Sequence, residues 1–318
     1  MKKFIFIQLG LLILFLPNTT AQQLPIFTQY TEMQTYLNPA SIAIDYLQYN
    51  RSNTAGLSYR YQWTQIEGAP NTLLGRYEHV KEGNNLVVLG GYVLRDQVGP
   101  SSVNGVYGRY AYMIRPSLES NFIFGIGLSA GILQYRIKTS ELDFQANDQL
   151  AGESQSDYIP DFAAGFNFIY YPEYGTKWYG GISIPQIFGI EATFKGLNDH
   201  LLSIQKKLHV YANAGAIFAI GQQGFLEPSI WVKYTSNIPL HIDFNVRQKF
   251  LNNFWLGLGY STSKSMHFET GIILKEVINL KNAVLRIGYG FDYGISSISH
   301  HLGTVHEINI SYAWNRGK

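Results

Sequence analysis

Charged side chains recur at alternate positions in this chain, a spacing that gathers them on one face of an extended strand. Arg60, Arg109, Arg247 and Arg286 occur in such segments, as do Asp161, Asp243, Asp292, Glu269 and Glu307. Two roles suit that set. An ordered row of charge would line a conduction or substrate path. Mixed signs would pair with one another and rigidify a narrow or plugged interior, and here the signs are mixed. His300, His301 and His306 bring metal-ligand types together beside Glu307. A metal needs three or four converging donors, however, and adjacent strand residues such as His306 and Glu307 point to opposite faces. Serines accompany His79, His209 and His267, the residue types of a lipid-hydrolysing enzyme, with no motif tying them together. Gly257-x-Gly259 and Gly288-x-Gly290 lie within strands and open no helix, so they are not phosphate loops. The residue pattern thus predicts no catalytic, cofactor-binding or metal-binding group.

The elements that carry these residues alternate with period two. At the end of the chain Ile308, Ile310, Tyr312 and Trp314 share one face, and Glu307, Asn309, Ser311 and Ala313 share the other. In 285–293, Leu285, Ile287, Tyr289, Phe291 and Tyr293 oppose Arg286, Gly288, Gly290 and Asp292. In 240–247, Leu240, Ile242, Phe244 and Val246 oppose His241, Asp243, Asn245 and Arg247. Segment 254–261 follows the rule except at Trp255. Charge on the polar faces is tolerable in a lumen and costly in lipid. Strands are expected at 54–63, 71–80, 86–95, 103–114, 121–134, 160–170, 177–184, 207–220, 225–235, 240–249, 253–262, 266–274, 283–293 and 304–314. These fourteen segments make an even number, as a single-chain bacterial barrel requires. The fold class is therefore all-β, a transmembrane antiparallel up-and-down β-barrel of the outer-membrane type. With both ends periplasmic, the long connections 135–159, 185–206 and 294–303 point outward and the short ones inward, the usual asymmetry.

Composition agrees. The mean hydropathy is close to zero, which a barrel reconciles with a membrane because only alternate residues meet lipid. The 23 tyrosines, 19 phenylalanines and 5 tryptophans would supply interfacial girdles, and the 31 glycines suit crowded or curved strand faces. No cysteine is present, which excludes disulfides, thiolate metal sites and a lipid on a lipobox cysteine. A net charge of +2 gives no sign of nucleic acid. Residues 1–21 read as a secretory signal peptide: Lys2 and Lys3, an apolar run from Phe4 to Leu16, then Pro17 and the small residues Thr19 and Ala21. Residues 22–53 do not alternate cleanly and would form a plug, a periplasmic arm or a lead-in, with the barrel in 54–318.

Several motifs occur in a fixed order. Pro25-Ile26-Phe27-Thr28-Gln29-Tyr30 is followed by Tyr36-Leu37-Asn38-Pro39-Ala40, then by Tyr59-Arg60-Tyr61-Gln62-Trp63. Asp96-Gln97-Val98-Gly99-Pro100, Tyr110-Ala111-Tyr112, Pro160-Asp161-Phe162 and Gly180-Gly181-Ile182-Ser183-Ile184-Pro185 come next. Pro228-Ser229 with Lys233-Tyr234, Asp243-Phe244-Asn245 and Gly303-Thr304-Val305-His306-Glu307-Ile308 complete the set. The series resembles the PorP/SprF family, outer-membrane proteins of the type IX secretion system in Bacteroidetes, over nearly the whole mature chain. Val305 stands as an insertion in the closing motif and puts local register in question. The resemblance implies a non-enzymatic role in secretion and display of surface proteins bearing a type IX C-terminal domain, often large adhesins, some used in gliding motility. It also implies a periplasmic peptidoglycan-associated partner.

On that reading affinity should come from the outward loops, since functional contacts concentrate on loops carried by rigid scaffolds. Phe144, Tyr158, Phe188 and Phe194 are candidate aromatic anchors, each of which would otherwise pack its own loop. Asn38 and Pro39 form either a docking element or a plain turn. Outer-membrane lipid is the remaining expected partner, and no cofactor is expected. The alternative function is a porin-like channel or small-solute transporter.

Overall fold

The computed structural model describes residues 26–117, 119–138, 155–195, 201–204, 207–221, 224–236, 238–250, 254–274, 282–297 and 299–315. Among the described residues sixteen strands follow two short helices, α1 (Gln34–Leu37) and α2 (Ile44–Tyr49). They are β1 Asn53–Tyr61, β2 Asn71–Lys81, β3 Leu86–Val98, β4 Ser101–Ile114, β5 Phe122–Ile137, β6 Gln155–Tyr170, β7 Lys177–Ile184 and β8 Ala192–Lys195. Then come β9 Leu201–Ile204, β10 His209–Ile220, β11 Gly224–Thr235, β12 His241–Phe250, β13 Phe254–Ser261, β14 Ser265–Leu274, β15 Ala283–Gly294 and β16 Val305–Trp314. A third helix, α3 (Ser299–Leu302), precedes β16.

Fourteen strands close into an antiparallel barrel, and β8 and β9 pair separately. The barrel closes where β16 meets β1, with Asn53 opposite Trp314 and Tyr61 opposite His306. Each of the fourteen predicted segments becomes a barrel strand. The differences lie at the ends. β6 starts at Gln155, so part of the expected 135–159 loop is strand, and the 185–206 loop contains the β8–β9 hairpin. Four-residue strands are too short for period-two alternation to declare itself.

Alternation sorts the side chains between two solvents. Leu57, Val106, Ile126, Leu128, Phe244, Leu258 and Ile308 are exposed on the outer wall, whereas Ser58, Arg60, Arg109, Arg247, Arg286, Glu307 and Asn309 are buried within. The longest connections, 138–154 and 185–208, leave one end, while chain entry and exit sit at the other. Long loops mark the extracellular end and short turns the periplasmic end. Aromatic pairs ring the inner end: Phe122 with Tyr170 at 4.8 Å, Trp178 with Phe218 at 5.9 Å, Phe250 with Phe254 at 5.1 Å and Tyr312 with Trp314 at 5.3 Å. Amphipathic rings of this kind favour the boundary between hydrocarbon and water.

Candidate functional site

Residues 26–50 fill the interior. The segment begins near the outer end, where the Thr28 and Gln29 amides donate to the Glu307 carboxylate at 2.7 and 3.2 Å. It leaves at the inner end, where Asn315 Nδ2 donates to the Asn50 carbonyl at 3.1 Å. Short helices and turns leave many backbone groups without partners of their own, and a dry interior penalises each one. Inward strand side chains supply those partners. Ser183 Oγ donates to the Leu37 carbonyl at 2.7 Å, and the Ala43 amide donates to Glu78 at 2.7 Å. Arg109 bonds both Glu78, at 2.9 Å, and the Ser41 carbonyl. Arg60 holds Asp292 at 2.6 Å and Glu307 at 3.3 Å and also donates to Thr28 Oγ1.

Charge concentrates around Glu32. Arg286 donates to both of its oxygens at 2.5 and 2.8 Å, with Arg247 at 3.2 Å and Arg76 at 3.4 Å. Arg286 also forks onto Asp45 at 2.8 Å. Burial works against an ionised Glu32, and the guanidiniums of Arg286, Arg247 and Arg76 compensate its charge. The expected lumen ion pairs therefore exist, but Arg76 and Arg286 pair with the N-terminal segment, and Arg247 divides between Glu32 and Glu227 of β11 at 2.7 Å. A signal for this was present: residues 26–50 contain Glu32 and Asp45 and no lysine or arginine.

Glycine makes room for the segment. A β-carbon on Gly127 would collide with the Pro39–Ala40 backbone, one on Gly165 with the Asn38 side chain, and one on Gly288 with Gln29. Trp255, the residue that broke the alternation, points inward because Gly271 and Gly288 leave space for its indole, and it packs with Ile273, Val284 and Tyr49.

Above the segment, at the outer mouth, lies a cavity of about 490 Å³. Tyr36 and Leu37 form part of its floor, and Trp63, Tyr92, Tyr107, Tyr135 and Tyr211 line its walls with Asp96 and Asp161. Tyr36 meets Tyr92 edge-on at 5.2 Å, and Tyr92 stacks on Tyr107 at 4.5 Å. The Tyr107 hydroxyl donates to Asp161 at 2.6 Å, and Thr72 donates to Asp96 at 2.5 Å. Trp63 adopts φ 53°, an uncommon conformation for a bulky residue. Sequence reasoning did not find this cavity, although Tyr36, Trp63, Asp96, Asp161 and Pro185 all come from the motifs singled out above and all line it.

The residues expected to bind a partner are dispersed. Phe144 lies outside the described residues. Tyr158 is not in a loop: it stands on β6, faces outward at 63% exposure and accepts a hydrogen bond from Gln134 at 2.7 Å. Phe188 is 67% exposed and packs edge-on against outward-facing Phe162 at 5.4 Å. Phe194 on β8 is buried against Tyr107, Leu133, Tyr135 and Ile159, because the hairpin folds over the mouth, so it offers no exposed anchor. Asn38 and Pro39 are inside the lumen. Asn38 accepts from the Ala40 amide at 2.9 Å and donates to the Phe166 carbonyl at 3.0 Å, an Asx-type turn fastened to β6. Residues 1–25, which include the expected signal peptide, and residues 316–318 also lie outside the described residues.

His241 and His267 both approach the Asp243 carboxylate, at 3.0 and 3.7 Å. His306 touches Tyr289 at 2.6 Å through Nδ1 and Thr304 at 3.0 Å through Nε2. Among the described residues no group of three or more His, Asp or Glu side chains could hold a metal ion. Ser261 and Asp243 both contact His241 through the same Nε2, at 2.6 and 3.0 Å, so the ring cannot relay a proton between them.

A family model described as type IX secretion system membrane protein PorP/SprF matches residues 19–312. No curated protein matches the chain. Among solved structures, the CymD monoaromatic hydrocarbon channel superposes with a TM-score of 0.55 at 10% identity, covering 90% of this chain and 93% of that one. A Pseudomonas aeruginosa FadL homologue gives 0.53 at 8% identity, covering 90% and 94%. The Ralstonia pickettii toluene transporter TbuX gives 0.53 at 10% identity, covering 89% and 93%. At such identities the likeness is one of fold.

Proposed function

Because the chain belongs to the PorP/SprF family of type IX secretion system membrane proteins, we propose that it holds a secreted surface protein at the outer face of the outer membrane. The chain is a multi-pass outer-membrane β-barrel, and its two ends would face the two compartments in which this role needs partners. The outer mouth, with the β8–β9 hairpin and neighbouring loops, would receive the surface protein or its type IX C-terminal domain. The short inner turns would meet a periplasmic, peptidoglycan-associated component of the machinery.

The observation that carries this reading is the filled interior. Glu32, Asp45 and the backbone of residues 28–43 are bonded to inward side chains from many strands. A conducting pore leaves its lumen to water. Here the lumen serves as a rigid scaffold for two surfaces. Affinity isolation of the intact barrel in mild detergent tests the role. A secreted protein with a type IX C-terminal domain, together with a periplasmic component, is the expected company. Repeated recovery of the barrel with neither would count against it.

The second reading is a transporter of small solutes. The 490 Å³ cavity at the mouth favours it, but passage would require the segment to withdraw from Arg286.

A further inference from the structure

The outer wall changes character at the extracellular edge of four neighbouring strands. On β5 the outward side chains are apolar from Phe122 through Phe124, Ile126 and Leu128 to Ile132. At about 3.4 Å per residue and a tilt of about 40°, that run climbs about 25 Å, the height of the apolar band that meets hydrocarbon. Gln134 and the exposed Arg136 follow at once. The neighbouring strands turn polar in the same register. Val93, Val106, Ile132 and Pro160 lie opposite one another across β3, β4, β5 and β6, and the next outward row is Arg95, Asn104, Gln134 and Tyr158. Hydrogen bonds tie that row together: Asn104 donates to Gln134 at 3.3 Å, and Gln134 donates to the Tyr158 hydroxyl at 2.7 Å. Arg95 is exposed and donates to Gln97 of its own strand at 3.0 Å. Among the described residues no carboxylate pairs with Arg95 or Arg136, and no outward position of β3 to β6 carries Asp or Glu. Asp157 faces the other way, where it accepts from the Thr193 amide at 2.8 Å.

Guanidiniums without a carboxylate, held at a membrane boundary, attract anionic headgroups, and their planar fork matches phosphate. Two strands and one pleat separate Arg95 from Arg136, which sets their backbones about 12 Å apart. Side-chain amides and a tyrosine hydroxyl occupy the ground between them, groups that both donate and accept, as sugar hydroxyls require. Directly beneath, Val106 and Ile132 are exposed and offer a seat for acyl chains. We propose that this edge of the barrel binds a phosphorylated glycolipid of the outer leaflet. Its phosphates lie on Arg95 and Arg136, its sugar on Asn104, Gln134 and Tyr158, and its chains against Val106 and Ile132. The site is on the outside of the wall and depends on neither the filled lumen nor the tethering role.

Native mass spectrometry of the full-length barrel, stripped of lipid and then incubated with defined probes, tests it. The probes are a glucosamine-disaccharide lipid carrying two phosphates, the same lipid without phosphate, and phosphatidylglycerol, with inorganic phosphate as a competitor. The phosphorylated glycolipid should be retained severalfold better than either other lipid, and millimolar inorganic phosphate should not displace it. Arg95→Gln and Arg136→Gln should each lower its retention severalfold, and the double variant should hold the two glycolipids alike. Both side chains are exposed, so every variant should keep the heat-modifiable gel migration of a folded barrel. Lys81→Gln, at the inner end of β2, should change nothing. Equal retention of the glycolipid with and without phosphate, an equal loss in Lys81→Gln, or a preference that survives in the double variant would each overturn the proposal. Equal retention of phosphatidylglycerol would reveal a general anion belt, and displacement by inorganic phosphate a site for free anions, and either result would also overturn it.

Discussion

Glu32 is the residue on which the interior turns. Three arginines from three different strands, β2, β12 and β15, converge on it, so one side chain ties the segment to well-separated parts of the wall. Removing one partner of a buried ion pair is far more damaging than replacing the whole pair, because it leaves charge without compensation. Glu32→Gln should therefore destabilise the filled state by about 3–5 kcal/mol, read as a lower denaturant midpoint and as new protease cleavage within residues 26–50. The strand arginines were legible in the sequence because alternation put them on a polar face. Their partner was not, because Glu32 lies in a segment without periodicity, and nothing local connects it to Arg286 more than 250 positions away.

The strands show where sequence reasoning works well. Period two is enforced by two solvents, lipid outside and a packed polar lumen within, so all fourteen barrel strands could be read from one chain. It works less well where that constraint lapses. The β8–β9 hairpin is short and folds inward, which buries Phe194, a residue that its loop position suggested would be exposed. Tyr158 was placed in a loop because the polar run Gln155-Ser156-Asp157 disguises the start of β6. The closing strand is better defined. Trp314 stacks on Tyr312, leans on Tyr77 at 6.2 Å and sits opposite Asn53 at the seam. Trp314→Ser removes an interfacial ring where β1 and β16 must find each other. It should reduce the amount of folded barrel in the outer-membrane fraction severalfold. Normal insertion of that variant would show that the terminal aromatic is no assembly signal.

At the scale of the molecule, a barrel wall, a charged internal segment and an aromatic mouth form one object. The wall was expected from alternation, and the family from the order of its motifs. The mouth was not anticipated, because Tyr36, Trp63, Asp96, Asp161 and Pro185 come from five separated motifs that only barrel closure brings together. The central claim is that the lumen is filled and the protein acts through its ends. Single-channel recording of the purified barrel in a planar bilayer tests this most directly. The wild-type protein should show no steady conductance without a partner, whereas a variant lacking residues 26–50 should conduct. Steady, partner-free conductance through the wild-type barrel would contradict the account.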